Sequence, residues 1–343
     1  GLAGPGNITT AGPGRIVLSG AVNNYTGTAV NVTNGILETQ NVAALGGVAT
    51  IPGSGATVTI GAGGQFRHNS ATAGTIANPL ILNGGTLSSG GFPSNAATLA
   101  LTAVNHTYSG NVSVVADSTV HLADLASSTT LGHTITLPGL LSGTGKITVN
   151  SVPTLSAGNQ LTGTLTLSNA NTGWSGGLDI LRGNVNATNV DALGTGNITA
   201  SAGKIAFATA GGTSFNLAQN LTFDAPGGVF ELNPDASGTP ASDMTVNLNG
   251  VVTLGSAANS NMALRLFQAT DNFSVINLTN SVVLGNNASI SVAGSATRPA
   301  LISGVISETG GARSLTINDD LGAWAQTNTT LRLTGPNTFT GGL

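Results

Sequence analysis

Four stretches of this chain are built on one frame, and that frame restricts the fold more than any other feature. They read IVLSGAVNNYTG (16–27), LALTAVNHTYSG (99–110), LTLSNANTGWSG (165–176) and LRLTGPNTFTG (331–341). Each opens on apolar-x-Leu-Ser/Thr, crosses a short polar run containing Asn, and closes on aromatic-Thr/Ser-Gly. The closing aromatics are Tyr25, Tyr108, Trp174 and Phe339, and the glycines are Gly27, Gly110, Gly176 and Gly341. After the first three glycines the chain runs on as TAVNVTNGIL, NVSVVADSTV and GLDILRGNV, in which apolar and polar residues alternate as they do along a half-buried strand. A second phrase recurs downstream as AALGGVATI (43–51), TTLGHTITL (129–137) and DALGTGNIT (191–199), and a third as LLSGTGKITV (140–149) and LISGVI (301–306).

Internal repetition of this kind marks a solenoid. Strands such as ATVTIG (56–61), MTVNLNGVVTLG (244–255) and ASISVAG (288–294) put every second apolar residue on one face and Thr, Ser or Asn on the other. Parallel sheets covered by helices on both faces read as continuous apolar runs instead. No amphipathic helix is available to cover the polar face, and NVAALGG (41–47) offers one helical turn at most. The expected fold is therefore all-β: a right-handed parallel β-helix, elongated, with no α-helical domain. Its inward Val, Leu and Ile stack into a continuous stripe from coil to coil. Gly and Asn serve the turns because they tolerate left-handed backbone, and outward Asn and Thr can hydrogen-bond between coils. The aligned aromatics are spaced by 83, 66 and 165 residues. Coils of roughly 20 residues would place several coils between copies. Fifteen or more coils at about 4.8 Å each would make a rod on the order of 70 Å. In the recurring phrase the aromatic is expected to pack on the neighbouring coil and the glycine to let the chain turn sharply. A single solenoid over residues 1–343 is expected, with its best repeat matches at 15–47, 99–137, 165–199 and 301–343.

Composition agrees. Charged residues are 6% of the 343, where about 25% is usual. Glycine contributes 50 residues and hydrophobic residues 40%. Low charge with this much apolar content argues against solvated disorder, and there is too little Lys, Glu, Arg and Gln to coat helices. The net charge of −4 is scattered with no basic cluster, so nucleic acid is not an expected partner. No apolar run reaches the ~18 residues of a transmembrane helix. Cysteine is absent, which suits a chain exported unfolded, where a premature crosslink would block passage.

The frame L-x-L-S/T-x-x-N-x-aromatic-T/S-G, followed by an alternating strand, NGIL and ALG, resembles the passenger-associated repeat of autotransporters, also called the autotransporter-associated β-strand repeat. Residues 15–47 match most fully, 165–196 next, and 301–343 match in the order of their phrases. Residues 201–300 share the style without the phrases. The resemblance implies a large secreted or cell-surface protein of a Gram-negative-type bacterium and a β-helical stalk that displays other modules. It implies no catalytic activity, and the C-terminal membrane barrel of such proteins is not in this sequence.

Candidate chemistry is sparse, and no enzyme and no cofactor are expected. Gly173-Trp174-Ser175-Gly176-Gly177 satisfies the nucleophile-elbow pattern, but that pattern requires a strand-to-helix turn with a partnering His and acid. Ser175 aligns instead with Thr26, Ser109 and Thr340 of the repeat. Gly145-Lys146 and Gly203-Lys204 lack the following Ser/Thr and the upstream glycine of a phosphate loop. His68, His106, His121 and His133 share no metal-ligand spacing and are expected to be scattered and solvated. Asn233, Asp235 and Ser237 are placed like the first ligands of a calcium loop, but its twelfth position is Met244, with Asp243 beside it. Asp319-Asp320 is the one acidic pair, with Arg313 and Arg332 some distance away. Adjacent strand residues face opposite ways, so the pair is poorly arranged for joint acid/base work.

Two function classes follow. The first is structural, a stalk or fibre segment whose partner is itself, end to end or side by side. The chain shows no cap at either end, which is expected to leave its end coils stacked on further coils or subunits. The second is an adhesin binding surface glycan or a partner protein through its wall or loops.

Overall fold

The computed structural model describes residues 2–20, 24–70, 72–89, 105–123, 133–152, 163–209, 214–224, 229–233, 244–256, 262–267, 275–293, 299–319 and 330–343. Among them every regular element is a β-strand and none is a helix. The strands pair in parallel throughout, as a β-solenoid requires. The chain divides into two compact units. One comprises residues 1–177, 182–184 and 192–194, and the other residues 178–181, 185–191 and 195–343.

In the first unit the coils build three walls. The first wall is a six-stranded sheet, Ile8–Thr10, Ala29–Val32, Thr57–Gly61, Leu80–Asn83, Val112–Ala116 and Leu141–Gly143. The second wall runs Arg15–Leu18, Gly35–Thr39, Gly64–His68, Thr86–Ser89, Ser118–Ala123 and Ile147–Val152. The third runs Gly74–Ile76, Asn105–Tyr108, Thr134–Leu137 and Thr164–Leu167. Alternation puts one face of every strand inside, and register aligns those residues into columns. Val30, Val58, Leu80, Val112 and Leu141 stack in the first wall, and Leu37, Phe66, Leu87, Val120 and Val149 in the second. All ten are fully buried.

The second unit repeats the plan. Its walls are Leu178–Ile180, Ile198–Ala200, Leu221–Phe223, Val252–Leu254, Val282–Leu284 and Ile306–Glu308; then Gly203–Phe207, Val229–Asn233, Met262–Phe267, Ala288–Ala293 and Leu315–Asp319; then the five-stranded sheet Ser214–Leu217, Thr245–Leu248, Val275–Leu278, Ala300–Ile302 and Leu331–Leu333. Leu217, Leu248, Leu278 and Ile302 form one inward column. Phe207 packs on Phe215 (centroids 4.8 Å apart), and Phe223 stacks on Phe230 (4.9 Å, 28°). On the outer face Asn216, Asn247 and Asn277 are in register. Each amide donates to the one before it, Asn247 Nδ2 to Asn216 Oδ1 at 2.8 Å and Asn277 Nδ2 to Asn247 Oδ1 at 2.9 Å. This is the coil-to-coil hydrogen bonding expected of outward Asn.

Coil length departs from expectation. Register partners run from 30 to 58 to 80 to 112 to 141 in the first unit, and from 198 to 221 to 252 to 282 to 306 in the second, so these coils span 22 to 32 residues rather than about 20. Three walls with connections of unequal length between them take up the difference. The copies of the repeated phrase also fall on different walls. Arg15–Leu18 lies in the second wall and Thr164–Leu167 in the third wall of the first unit, while Leu331–Leu333 closes the five-stranded sheet of the second. Leu18 sits in an outermost strand and is only half-buried, whereas Leu167 is fully buried.

Candidate functional site

The repeated phrase defines a packing site. Tyr25, Tyr108 and Trp174 are buried, with 5%, 0% and 0% of their surface exposed, and Phe339 is half-buried. Trp174 bridges to Gly143 of the preceding coil, and its Nε1 donates to Gly145 O at 2.9 Å. Tyr108 meets Phe66 edge-on at 6.1 Å, and the Tyr25 hydroxyl donates to Ala29 O at 3.0 Å. The aromatic is thus buried within the stack in the first three copies.

The glycine also has a packing task between coils. Gly27, Gly110, Gly176 and Gly341 are absent from the glycines with left-handed backbone. A Cβ at each would instead come within 3 Å of a carbonyl on the coil before it: Gly6, Asn78, Gly145 and Arg313 respectively. These glycines permit close approach between coils, and the chain bends at Gly110, Gly176 and Gly341.

Left-handed glycine stands one residue after the corner glycine in two copies, at Gly177 (φ 84°) and Gly342 (φ 95°), and it recurs in the second phrase. Gly46 (φ 78°) and Gly194 (φ 69°) follow the buried Leu45 and Leu193. A Cβ on either would stand 2.5 Å from the backbone oxygen of Tyr25 or Trp174. The ALG phrase thus closes over the aromatic of the phrase before it. Buried asparagines tie this lid down: Asn78 Nδ2 donates to Leu45 O (3.0 Å) and Ala56 O (2.8 Å), and Asn171 Nδ2 to Ala192 O (2.7 Å). The copy at 129–137 begins outside the described residues.

All four histidines are buried, so the expectation of solvated rings is wrong. His68, His106, His121 and His133 expose 1%, 0%, 9% and 3%. His106 shares the parity of Tyr108 along NHTY and faces inward; its register partner in the next coil is Ile135. The His68 and His106 rings meet edge-on at 4.9 Å. His68 Nδ1 is held by Thr39 Oγ1 at 3.0 Å, whereas neither ring nitrogen of His106 has a hydrogen-bond partner. Burial lowers the His68 pKa to about 4, against the raising effects of Thr39 and the Glu38 charge. Burial, with the neighbouring His68 and His133, lowers that of His106 to about 3. Both rings are therefore neutral at neutral pH. Among the described residues no group of three or more His, Asp or Glu is placed to hold a metal ion.

Sequence reading also missed an ion cluster. Glu38 is fully buried and takes hydrogen bonds from Arg15 Nη2 (2.6 Å), Arg67 Nε (2.6 Å) and Asn69 Nδ2 (3.1 Å). Burial would raise its pKa, but the bonds from Arg15, Asn69 and Arg67 and the Arg67 charge outweigh burial and hold it low. Glu38 and Arg67 are register partners at outward positions of the second wall, where alternation predicts solvent.

Beside this cluster opens a cleft of about 480 Å³. One side is Gln40, Asn41 and Val42, and the floor includes His68, Asn105 and Thr107. Ser175 lies in the turn before Leu178–Ile180, its N–H bonded to Gly143 O at 2.9 Å, so the strand-to-helix geometry of a nucleophile elbow is not there. Asp235, Ser237, Asp243 and Asp320 lie outside the described residues, as does the Asp319 side chain. Arg332 is exposed, and Arg313 Nε bonds Thr309 O at 3.3 Å.

No protein-family model, no curated protein and no solved structure matches this chain.

Proposed function

We propose that this chain is a structural β-helical stalk or fibre-forming segment of a bacterial secreted or cell-surface protein. The observation that carries the reading is that, among the described residues, both units consist of stacked parallel coils with a buried apolar stripe, and the repeated phrases lock coil to coil. Such an architecture extends by adding coils. The outermost described strands, Arg15–Leu18 and Leu331–Leu333, are laddered on one side, and a laddered edge is a template for another strand. Further coils, of this polypeptide or of another subunit stacked end to end, would satisfy those edges, and the low-charge wall permits lateral association. No helix among the described residues is long and apolar enough to cross a membrane. The passenger-associated repeat of autotransporters remains the family the phrases resemble, and a Gram-negative-type cell surface is the setting that resemblance gives.

Electron microscopy and mass spectrometry of native material test this. Filaments of a short subunit, or a much longer polypeptide, are the expected results. A monodisperse monomer of 33.5 kDa that forms no fibre at any concentration overturns the proposal.

A second reading, an adhesin for glycan, is favoured by the cleft, whose lining mixes amide and hydroxyl side chains with small apolar ones. Aromatic platforms, which commonly stack on sugar faces, do not support it: every described aromatic side chain is buried except Phe339, which is half-buried. Reproducible, competable binding on a glycan array is the result this reading expects.

A further inference from the structure

The third wall of the first unit carries two outward rows of neutral hydrogen-bonding side chains. Thr75, Thr107, Thr136 and Thr166 are successive register partners. Asn105, Thr134 and Thr164 form the second row, two residues earlier on the same strands, and therefore on the same face. All seven are at least partly open to solvent. Rungs of a parallel sheet stand about 4.8 Å apart, so the rows present hydroxyl groups at a regular interval along the coil axis. Among the described residues nothing hydrogen-bonds the hydroxyls of Thr75, Thr107, Thr136 or Thr166.

The cleft lies at the head of these rows, and Thr75, Asn105 and Thr107 are part of both. Its side is built from Gln40 and Asn41. The Asn41 Oδ1 is committed to the Ala43 N–H at 2.9 Å, which turns its amide nitrogen into the available group. Ser70 and Thr72 add hydroxyls that bond each other at 3.1 Å. The His68 ring forms part of the floor with Nδ1 tied to Thr39. Gly74 keeps the space beside Nε2 open, since a Cβ there would press on Val42 and stand 3.2 Å from that nitrogen.

We propose that these rows and the cleft at their head form a binding track for a neutral, linear glycan, the chain end seated in the cleft and the following sugars lying along the threonines. The inference rests on the recognition reading and is independent of the stalk reading. Its chemistry is selective. Among the described residues no charged side chain lines the cleft or stands in either row, so phosphate, sialic acid and polyamine ligands find no counter-charge there. Amide and hydroxyl side chains, Gln40, Asn41, Ser70, Thr72 and Thr107 among them, alternate with Val42, Ala49 and Ala73 in the lining, so a purely apolar peptide face would leave those polar groups desolvated and unpaired. A polyhydroxy chain offers a donor and an acceptor at nearly every carbon, which matches threonine hydroxyls that both give and accept. Without an aromatic platform each sugar binds weakly, and affinity comes from many rungs engaged at once.

The probes are glucose and the hexamers of three neutral glycans, maltohexaose, cellohexaose and chitohexaose, titrated into the whole chain by NMR or calorimetry. At least one hexamer is expected to bind with Kd of about 1 mM or tighter, with affinity rising from monomer to hexamer. Thr107→Val with Thr136→Val deletes two hydroxyls, keeps the β-branched shape, and should weaken that hexamer at least fivefold at unchanged melting temperature. Asn249→Ala, in the second unit, should leave it unchanged. Length-independent binding, an unaltered Kd in a folded double valine variant, or no binding by any hexamer each overturns the track. If a glycan array is positive while the valine variant binds normally, the track falls and the adhesin reading stands. If neither array nor hexamers bind, both fall.

Discussion

The two units share a plan and differ in what they bury. In the first, the interior and the outer face of the second wall bury Glu38, Arg67, His68, His106, His121 and His133. In the second, no described buried residue is ionisable; its buried polar groups are Gln219, Asn233 and Asn286. Its interior is aliphatic with two phenylalanine pairs. Its ion pair, Glu231–Arg265 at 3.3 Å, lies near the surface, with the arginine side chain 32% exposed. A solenoid is held coil by coil, so each coil tolerates its own interior provided its neighbours complete the column. Charge inside a coil is sustained only where partners from adjacent coils converge, as Arg15, Arg67 and Asn69 converge on Glu38.

The sharpest way to break this comparison is to remove one cation from each unit. Arg67→Ala leaves the Glu38 carboxylate buried with a partner missing, and loss of a buried partner costs about 3–5 kcal/mol. Arg265→Ala removes a partly exposed pair, worth about 0–1 kcal/mol. Urea unfolding gives the totals, and hydrogen exchange read peptide by peptide assigns them. Exchange in the second wall around 35–39 and 64–68 should rise steeply in the first variant, while the second variant should change little. Equal effects would mean that the Glu38 cluster is no more than a surface pair.

The next effect is on pH. His68 and His106 have folded pKa values of about 4 and 3 against an ordinary 6.5. Between pH 6.5 and about 4 the unfolded chain binds protons that the folded chain refuses. Stability is therefore lost as pH falls through that window. At pH 5 each ring accounts for about 2 kcal/mol, and about 2–4 kcal/mol together because the rings interact. Below this, Glu38 adds in the same direction: its folded pKa is depressed, so its contribution is present above the unfolded carboxylate value and disappears on acidification. Exchange protection should fall between pH 7.5 and 5 in the first unit and hold in the second. His106→Leu, which continues the Ile135–Leu165 column, should remove about half of the slope. An unchanged slope would place the titration elsewhere.

How far the sequence revealed this follows from parity. Alternation exposes the columns, the all-β fold and the outward Asn ladder, because inward and outward positions are a property of each strand alone. Parity also makes His106 readable as buried, since Asn105-His106-Thr107-Tyr108 puts it on the side of the aromatic; composition alone suggested solvent. Glu38 and Arg67 were not readable. They occupy outward parity and are buried nonetheless, and their pairing depends on a register set across 29 residues. The wall on which each phrase lies was hidden for the same reason: connections of unequal length decide it. The cleft was hidden too, because Gln40, His68 and Thr107 come from three different coils.

The smallest effect concerns the second unit's counterpart to the ion cluster, the Asn216–Asn247–Asn277 ladder. Its central residue donates to one neighbour and accepts from the other. A neutral hydrogen bond contributes about 0.5–1.5 kcal/mol net, and solvent competes for Asn216 and Asn247, which are exposed or nearly so. Asn247→Ala should therefore cost about 1 kcal/mol, measured by urea unfolding, and Asn247→Asp should cost more at pH 7 than at pH 4, because a carboxylate cannot donate to Asn216 and a protonated acid can. Salt separates the ladder from electrostatics. The Asn247→Ala penalty should be the same at 0.1 M and 1 M NaCl, since no charge is removed, while any penalty of Arg265→Ala should shrink as the pair is screened. A salt-sensitive Asn247→Ala penalty would mean that the second unit is held by charge after all, and that the contrast between the two interiors is one of degree.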